Sequence, residues 1–150
     1  MLVMPPKKKI LVLVNPFSGR RLAAAKWLIA RPILEKAHAE LTVIETERAN
    51  HAYEIVHNDI KQGDYDGIVT VSGDGLIHEV VNGLYRRNDW LQLMSSLSLG
   101  FIPGGSANGL VKAVLDYAGE DYSVENAAFV IAKGRSTRID LTEIEGEYMK

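Results

Sequence analysis

The chain contains no cysteine. Disulfides, thiolate zinc sites and cysteine nucleophiles are excluded together, and the composition suits the reducing cytosol, so a cytoplasmic protein is expected. An excess of either charge is also missing. With 17 basic and 19 acidic residues the net charge is −2, which removes the electrostatic case for a nucleic-acid partner. No apolar run approaches the roughly 18 residues of a membrane span, and Met1-Leu2-Val3-Met4-Pro5-Pro6-Lys7-Lys8-Lys9 has no apolar segment after its charges. No transmembrane segment is predicted, and any membrane contact is expected to be peripheral. Two phosphate-binding fingerprints are absent as well. G-x-G-x-x-G fails because His78 stands where the third glycine belongs, and G-x-x-x-x-G-K-[ST] does not occur. His51, His57 and His78 show no ligand spacing with a carboxylate, so no protein-built metal site is predicted.

What is present is an alternation. Ile10-Leu11-Val12-Leu13-Val14 is a continuous apolar run of strand length, the kind buried on both faces of a parallel sheet, and it breaks at Asn15-Pro16-Phe17-Ser18-Gly19. Helical spacing follows from about Arg20 through Leu22, Trp27, Ile29, Leu34 and Ala37, with Pro32 kinking the helix or starting a second one. Leu41 to Thr46 reads as the next strand. A helix opening at Ala49 or Asn50, with Asn50 as its cap, carries Ile55, Val56 and Ile60 to a stop at Gly63. Ile68 to Val71 and Leu97 to Ile102 are further strands, and Trp90 to Met94 is a short amphipathic turn. Helices are predicted from Leu76, from Leu110, and from Val124 to Lys133, the last capped by Ser123 and closed by Gly134. Thr137 to Glu145 alternates imperfectly and reads as a final strand. Strand and helix alternating along 150 residues predict one α/β domain, with a doubly wound, mostly parallel sheet and helices on both faces.

The most informative stretch runs from Val69 to Leu84. A β-branched run breaks at Ser72-Gly73-Asp74-Gly75 and resumes as a helix with Ile77, Val80, Val81 and Leu84 on one face. Gly73 and Gly75 are expected to allow unusual backbone dihedrals and close approach of a ligand to the amides. Two roles for Asp74 stay open: a cap for a helix starting near Leu76, or a base facing a phosphate at the helix N-terminus. The turns Asn15 to Gly19, Thr46 to His51, Ser72 to Gly75 and Gly104 to Gly109 each follow a strand. In a parallel sheet they share one edge, where their amides and hydroxyls can converge on one polyanion.

Val14-Asn15-Pro16-Phe17-Ser18-Gly19, Thr46-Glu47-Arg48-Ala49-Asn50-His51-Ala52, the run from Asp66 to Leu84, and Pro103-Gly104-Gly105-Ser106-Ala107-Asn108 resemble the ordered motifs of sphingosine kinases, within the diacylglycerol-kinase-like lipid kinases. The resemblance covers roughly residues 8 to 145 and implies a nucleotide-binding kinase domain over 9–145, after a lead of residues 1–8. In the family a β-sandwich domain that captures the lipid follows, and the chain ends at Lys150 before it. ATP and Mg²⁺ are the implied cofactors, and transfer of the γ-phosphate to the primary hydroxyl of a sphingoid base is the implied reaction. By the same resemblance Asn15, Pro16, Phe17, Thr46, Glu47, Arg48, Ala49 and Asn50 would line the nucleotide. Ser72, Gly73, Asp74 and Gly75 would surround the reacting phosphate and the substrate hydroxyl, with Asp74 as the base. Glu79 would sit near the nucleotide and its magnesium, and Gly105, Ser106 and Ala107 would form the second glycine-rich loop. Ala107 stands where the family usually has glycine, which puts a methyl group at the approach of the nucleotide. Two alternatives remain: another Gly-Asp-Gly kinase acting on diacylglycerol, ceramide or NAD, and a nucleotide-binding or interaction module without catalysis. The segment from Thr46 to Ala52 speaks against an NAD kinase.

Overall fold

The apolar run after the lysines forms β1 (Lys8–Val14), and its alternate side chains feed two separate cores. Ile10, Val12 and Val14 enter one, and Leu11 and Leu13 the other. The computed structural model describes residues 6–144. After β1 come a single turn α1 (Ser18–Arg21), α2 (Ala23–Lys36), β2 (Ala39–Glu45), α3 (His51–Glu54) and a π turn (Ile55–Asp59). The chain continues through β3 (Gly67–Ser72), α4 (Asp74–Tyr85), α5 (Trp90–Met94), β4 (Ser98–Pro103), α6 (Gly109–Ala118) and α7 (Val124–Lys133). The four strands form one parallel sheet in the order β2-β1-β3-β4.

Helices cover both faces of this sheet, as the continuous apolar strands require. Ala23, Trp27, Ala30 and Leu34 of α2 pack with Val111 and Leu115 of α6 and Ala127 and Ala128 of α7 in the first core. Ala52, Ile55 and Val56 join Leu76, Val80 and Leu84 of α4 and Leu93 of α5 in the second. The fold is thus the doubly wound α/β sheet that the alternation predicts. Since β2 and β3 flank β1 on opposite sides, the crevice where such sheets collect ligands opens outside the carboxyl ends of β1 and β3. No helix among the described residues is long and apolar enough to cross a membrane.

Several local expectations are corrected. Helical geometry does not begin at Arg20, because Gly19, Arg20 and Arg21 all lie in the left-handed region, with φ of 57°, 58° and 68°. Side chains at two of those positions cost about 1–2 kcal/mol each. Pro32 starts no second helix, since α2 runs on from Ala23 to Lys36. Leu28, whose carbonyl loses its donor at residue 32, is 69% exposed, so that side of α2 has water available. Asn50 stands at the N-cap position of α3 as predicted, but its φ is 62° and its side chain makes no cap bond. The helix after it becomes the π turn and ends at Asp59, short of Gly63. Residues 137–144 form no strand, and Glu145 lies outside the described residues. By contrast, Ser123 Oγ accepts from Asn126 N (3.0 Å) and Gly134 closes α7 with φ 65°, both as predicted.

The polar exit at Arg86-Arg87-Asn88-Asp89 holds a structural knot. Arg87 keeps 11% of its side-chain surface and donates from Nη1 to the carbonyls of Val56 (2.9 Å), His57 (2.9 Å) and Ile60 (3.0 Å). Its Nε and Nη2 fork onto Asp89, which holds the Asp89 carboxyl below its ordinary value. One guanidinium therefore ends the π turn and ties it to the exit of α4. Lysine carries its three donors on one nitrogen and lacks the planar fork that reaches the carbonyls and the carboxylate from separate nitrogens. Arg87→Lys is expected to cost about 1–2 kcal/mol, a fall of about 2–8 °C in Tm; an unchanged melt would show that the fork adds nothing.

Candidate functional site

The loops after β3 and β4 meet backbone to backbone. Gly104 N donates to Ser72 O (2.9 Å), and Asp74 N donates to Ala107 O (3.2 Å). A Cβ on Gly73 would lie 2.7 Å from Ala107 O, and one on Gly104 would lie 2.7 Å from Ser72 N. One on Gly105 would run into Gly73 Cα and N. These glycines serve the close approach of two main chains. The expected unusual dihedrals are not found: Gly73 is extended (φ −87°, ψ −174°), and neither Gly73 nor Gly75 has a positive φ. Gly75 differs from the others in facing open space, with nothing within 4 Å of an added Cβ. Asn108 closes the second loop, its Oδ1 accepting from Gly105 N (3.0 Å) and its Nδ2 donating to Gly105 O (2.8 Å).

Asp74 lies where these loops cross. Helix α4 begins at Asp74 itself with Gly73 as its N-cap, so the carboxylate does not cap a helix starting near Leu76. It turns instead to α6, where Oδ2 accepts from Gly109 N (2.9 Å) and Oδ1 from Leu110 N (3.3 Å). Both donors belong to the set that a helix start leaves unpaired. The charge is held at the N-terminal ends of two helices, where their dipoles favour an anion. Each oxygen keeps a lone pair for a further donor.

Beside this crossing Asn15, Phe17, Thr46, Arg48, Ala49, Leu76 and Glu79 line a cleft of about 260 Å³. Glu79 Oε2 is buried and has no hydrogen-bond partner among the described residues. Such an orphan is costly unless something else supplies the donor or cation. Asn15 Oδ1 accepts from Phe17 N (3.0 Å) and so shapes its own turn, leaving the Phe17 side chain in solvent (61% exposed). On the far wall Arg48 forks onto Glu54, and that bond holds the Glu54 carboxyl below its ordinary value. Glu47 N donates to His51 Nδ1 (3.1 Å).

Six residues predicted from the sequence thus share the cleft: Asn15, Phe17, Thr46, Arg48, Ala49 and Glu79. Ser72, Gly73, Asp74, Gly105 and Ala107 meet at the loop crossing instead. Pro16, Glu47, Asn50 and Ser106 do not line the cleft. Ser106 is exposed, and the Glu47 and Asn50 backbones serve the loop through the bonds to His51 Nδ1 and Glu54 N. Glu54, His51 and Asn108 also hold these loops, in roles not predicted from the sequence. An Asx-turn reading of Asn108 in its glycine-rich setting offers a local signal, whereas Glu54 has none, being six residues from Arg48 across a loop. A second hollow, of about 310 Å³, is lined by His57 and residues 86–89 and forms the rim of the Arg87 knot. No group of three or more His, Asp or Glu among the described residues is placed to hold a metal ion.

The strand-end loops of this parallel doubly wound sheet cross over one carboxylate, at the edge where such sheets collect ligands. Residues 9–144 match the diacylglycerol kinase catalytic domain, and the chain belongs to that family. It is 42% identical over 138 residues to sphingosine kinase 1 of Arabidopsis thaliana, covering 91% of this chain and 28% of that protein. To human sphingosine kinase 2 it is 37% identical over 151 residues, covering 95% of this chain and 22% of the relative. The chain therefore spans under a third of either relative. Among solved structures, a diacylglycerol kinase from Bacillus anthracis str. Sterne superposes with a TM-score of 0.68 at 25% identity, covering 88% of this chain and 42% of that one.

Proposed function

We propose that the chain is the nucleotide-binding part of an ATP-dependent lipid kinase that phosphorylates the primary hydroxyl of a sphingoid base. The observation that carries this reading is the Asp74 carboxylate, fixed by Gly109 N and Leu110 N at the crossing of two glycine-rich loops, beside the open face of Gly75. The similarity to sphingosine kinases supports the choice of acceptor. Phosphoryl transfer asks a protein for positioning and charge stabilisation more than for covalent chemistry.

The roles follow the donor types. Asn15, Phe17, Thr46, Arg48 and Ala49 form the wall along which the nucleotide lies, and Pro16, Glu47 and Asn50 belong to the two loops that carry that wall. The main chains of Ser72, Gly73, Gly105, Ser106 and Ala107 border its phosphates. Asp74 orients the lipid hydroxyl and takes its proton as that oxygen bonds to the γ-phosphorus and the bond from phosphorus to the β,γ-bridging oxygen breaks. The site fits ATP with Mg²⁺, because Mg²⁺ takes one or two carboxylates together with substrate phosphates, and Glu79 holds a buried oxygen without a partner among the described residues. Bound there, Mg²⁺ would neutralise phosphate charge. The lipid would be held by a second domain and reached by peripheral contact with a membrane, so this chain alone is expected to show negligible turnover. Labelled ATP offered with sphingosine, diacylglycerol and NAD to the full-length kinase tests the reading. Label in sphingosine supports it, and label in NAD or in none of the three overturns it.

Ala107→Gly tests the departure from the family pattern. Ala107 is exposed and has no positive φ, so its methyl group is not strained. The glycine variant is expected to lose about 0.5–1 kcal/mol of stability and to bind ATP at least as tightly. Weaker binding in a titration would show that the methyl group does not crowd the nucleotide.

A further inference from the structure

Glu54 engages Arg48 through a complete fork, Nη1 to Oε1 at 2.7 Å and Nη2 to Oε2 at 2.6 Å. Those two nitrogens form one of the two edges with which a guanidinium can grip phosphate, the other being Nε with Nη2. The pair is also neutral as a whole, so Arg48 brings little net charge to the cleft that it lines. Besides the donors on its Nε side it offers a flat face, and guanidinium planes stack on aromatic ring systems. The fork is anchored on α3: Glu54 N donates to Asn50 O (3.0 Å), while His51 of the same turn accepts from Glu47 N. Both side chains remain well exposed, at 58% for Arg48 and 44% for Glu54, so this is no buried structural pair. Phe17, Ala49 and Leu76 line the same cleft and give it apolar surface. The glycine-rich loops follow β3 and β4, whereas the Arg48 loop follows β2 at the opposite side of the sheet. Three strand spacings separate β2 from β4, roughly 14 Å, which suits an extended molecule with phosphates at one end and a base at the other.

We propose that Glu54 is a positioning residue that holds Arg48 as a neutralised, flat platform for the base of the bound nucleotide, leaving the phosphates to the glycine-rich loops. The inference rests on the nucleotide-kinase reading above. Glu54 acts through Arg48 and touches no reacting atom.

Titration calorimetry of the chain with ATP, adenosine and tripolyphosphate, each with Mg²⁺, tests it on Arg48→Lys and Glu54→Gln. Both variants are expected to weaken ATP and adenosine in parallel, by roughly 3- to 20-fold, and to leave tripolyphosphate unchanged. Thermal melts should match the parent, since both positions are exposed. That split between adenosine and tripolyphosphate is one that a merely loosened fold would not produce. If Arg48 were a phosphate ligand, Glu54→Gln would free its edge and tighten tripolyphosphate, which overturns the proposal. Parent-like adenosine binding in both variants overturns it as well, while the nucleotide reading survives. A parent chain that binds none of the three ligands brings down both.

Discussion

In the lipid kinase proposed above, Asp74→Asn is expected to lower phosphoryl transfer by roughly 10²- to 10⁴-fold while ATP binding persists. The amide has nearly the size of the carboxylate but will not take the proton of an alcohol. The fold is not left untouched. Gly109 N and Leu110 N donate to different oxygens of Asp74, and asparagine has one oxygen, so its NH₂ must face one of the two donors. The start of α6 should lose about 1 kcal/mol, in the range of other lost caps. The two measurements separate the roles. An Asp74 that only capped α6 would lose stability without losing rate. Near-parental turnover at saturating ATP and lipid would move the base elsewhere.

Gly105→Ala is expected to be the most disruptive small change in the site. Its Cβ would meet the backbone of Gly73, and main chain has no rotamer by which to step aside. The cost should sit at the upper end of the roughly 1–3 kcal/mol typical of overpacking, and ATP binding should fall because the two loops must part. Gly75→Ala is the matched contrast. It lies in α4 without a positive φ and with open space before it, so helix propensity favours alanine by about 0.5–1 kcal/mol. If the lipid hydroxyl approaches at Gly75, that more stable variant should show a raised KM for the lipid. A parent-like melt and parent-like ATP binding for Gly105→Ala would refute the close contact between the loops.

Much of this architecture is legible along the chain because its determinants are local. Five apolar residues before Asn15-Pro16 specify a strand buried on both faces, and Ser123 and Gly134 bracket α7 by short-range capping. The edge shared by the four turns follows from strand and helix alternation alone. What escaped depends on contacts between distant segments. Asp74 caps a helix 35 residues further on, a relation that no local pattern encodes. The glycines at 73 and 105 look like loosened turns in sequence, whereas their function is to bring two backbones into contact. Thr137 to Ile144 alternates well enough for a strand, yet no described strand pairs with it, and β-propensity without a neighbouring strand does not make a sheet.

The Arg87 knot sets an order of events during synthesis. The carbonyls of Val56, His57 and Ile60 find their donor on a residue made 27 to 31 positions later. At roughly 5–20 residues per second, the gap between Ile60 and Arg87 amounts to about 1–5 s. Through that interval the end of the π turn has only water for its carbonyls, so the segment from His51 to Asp59 cannot take its final form from its own residues. This corner of the domain matures when α4 and the arginine after it have left the ribosome, so nascent chains from which Ile60 has emerged and Arg87 has not should stay protease-sensitive over that segment.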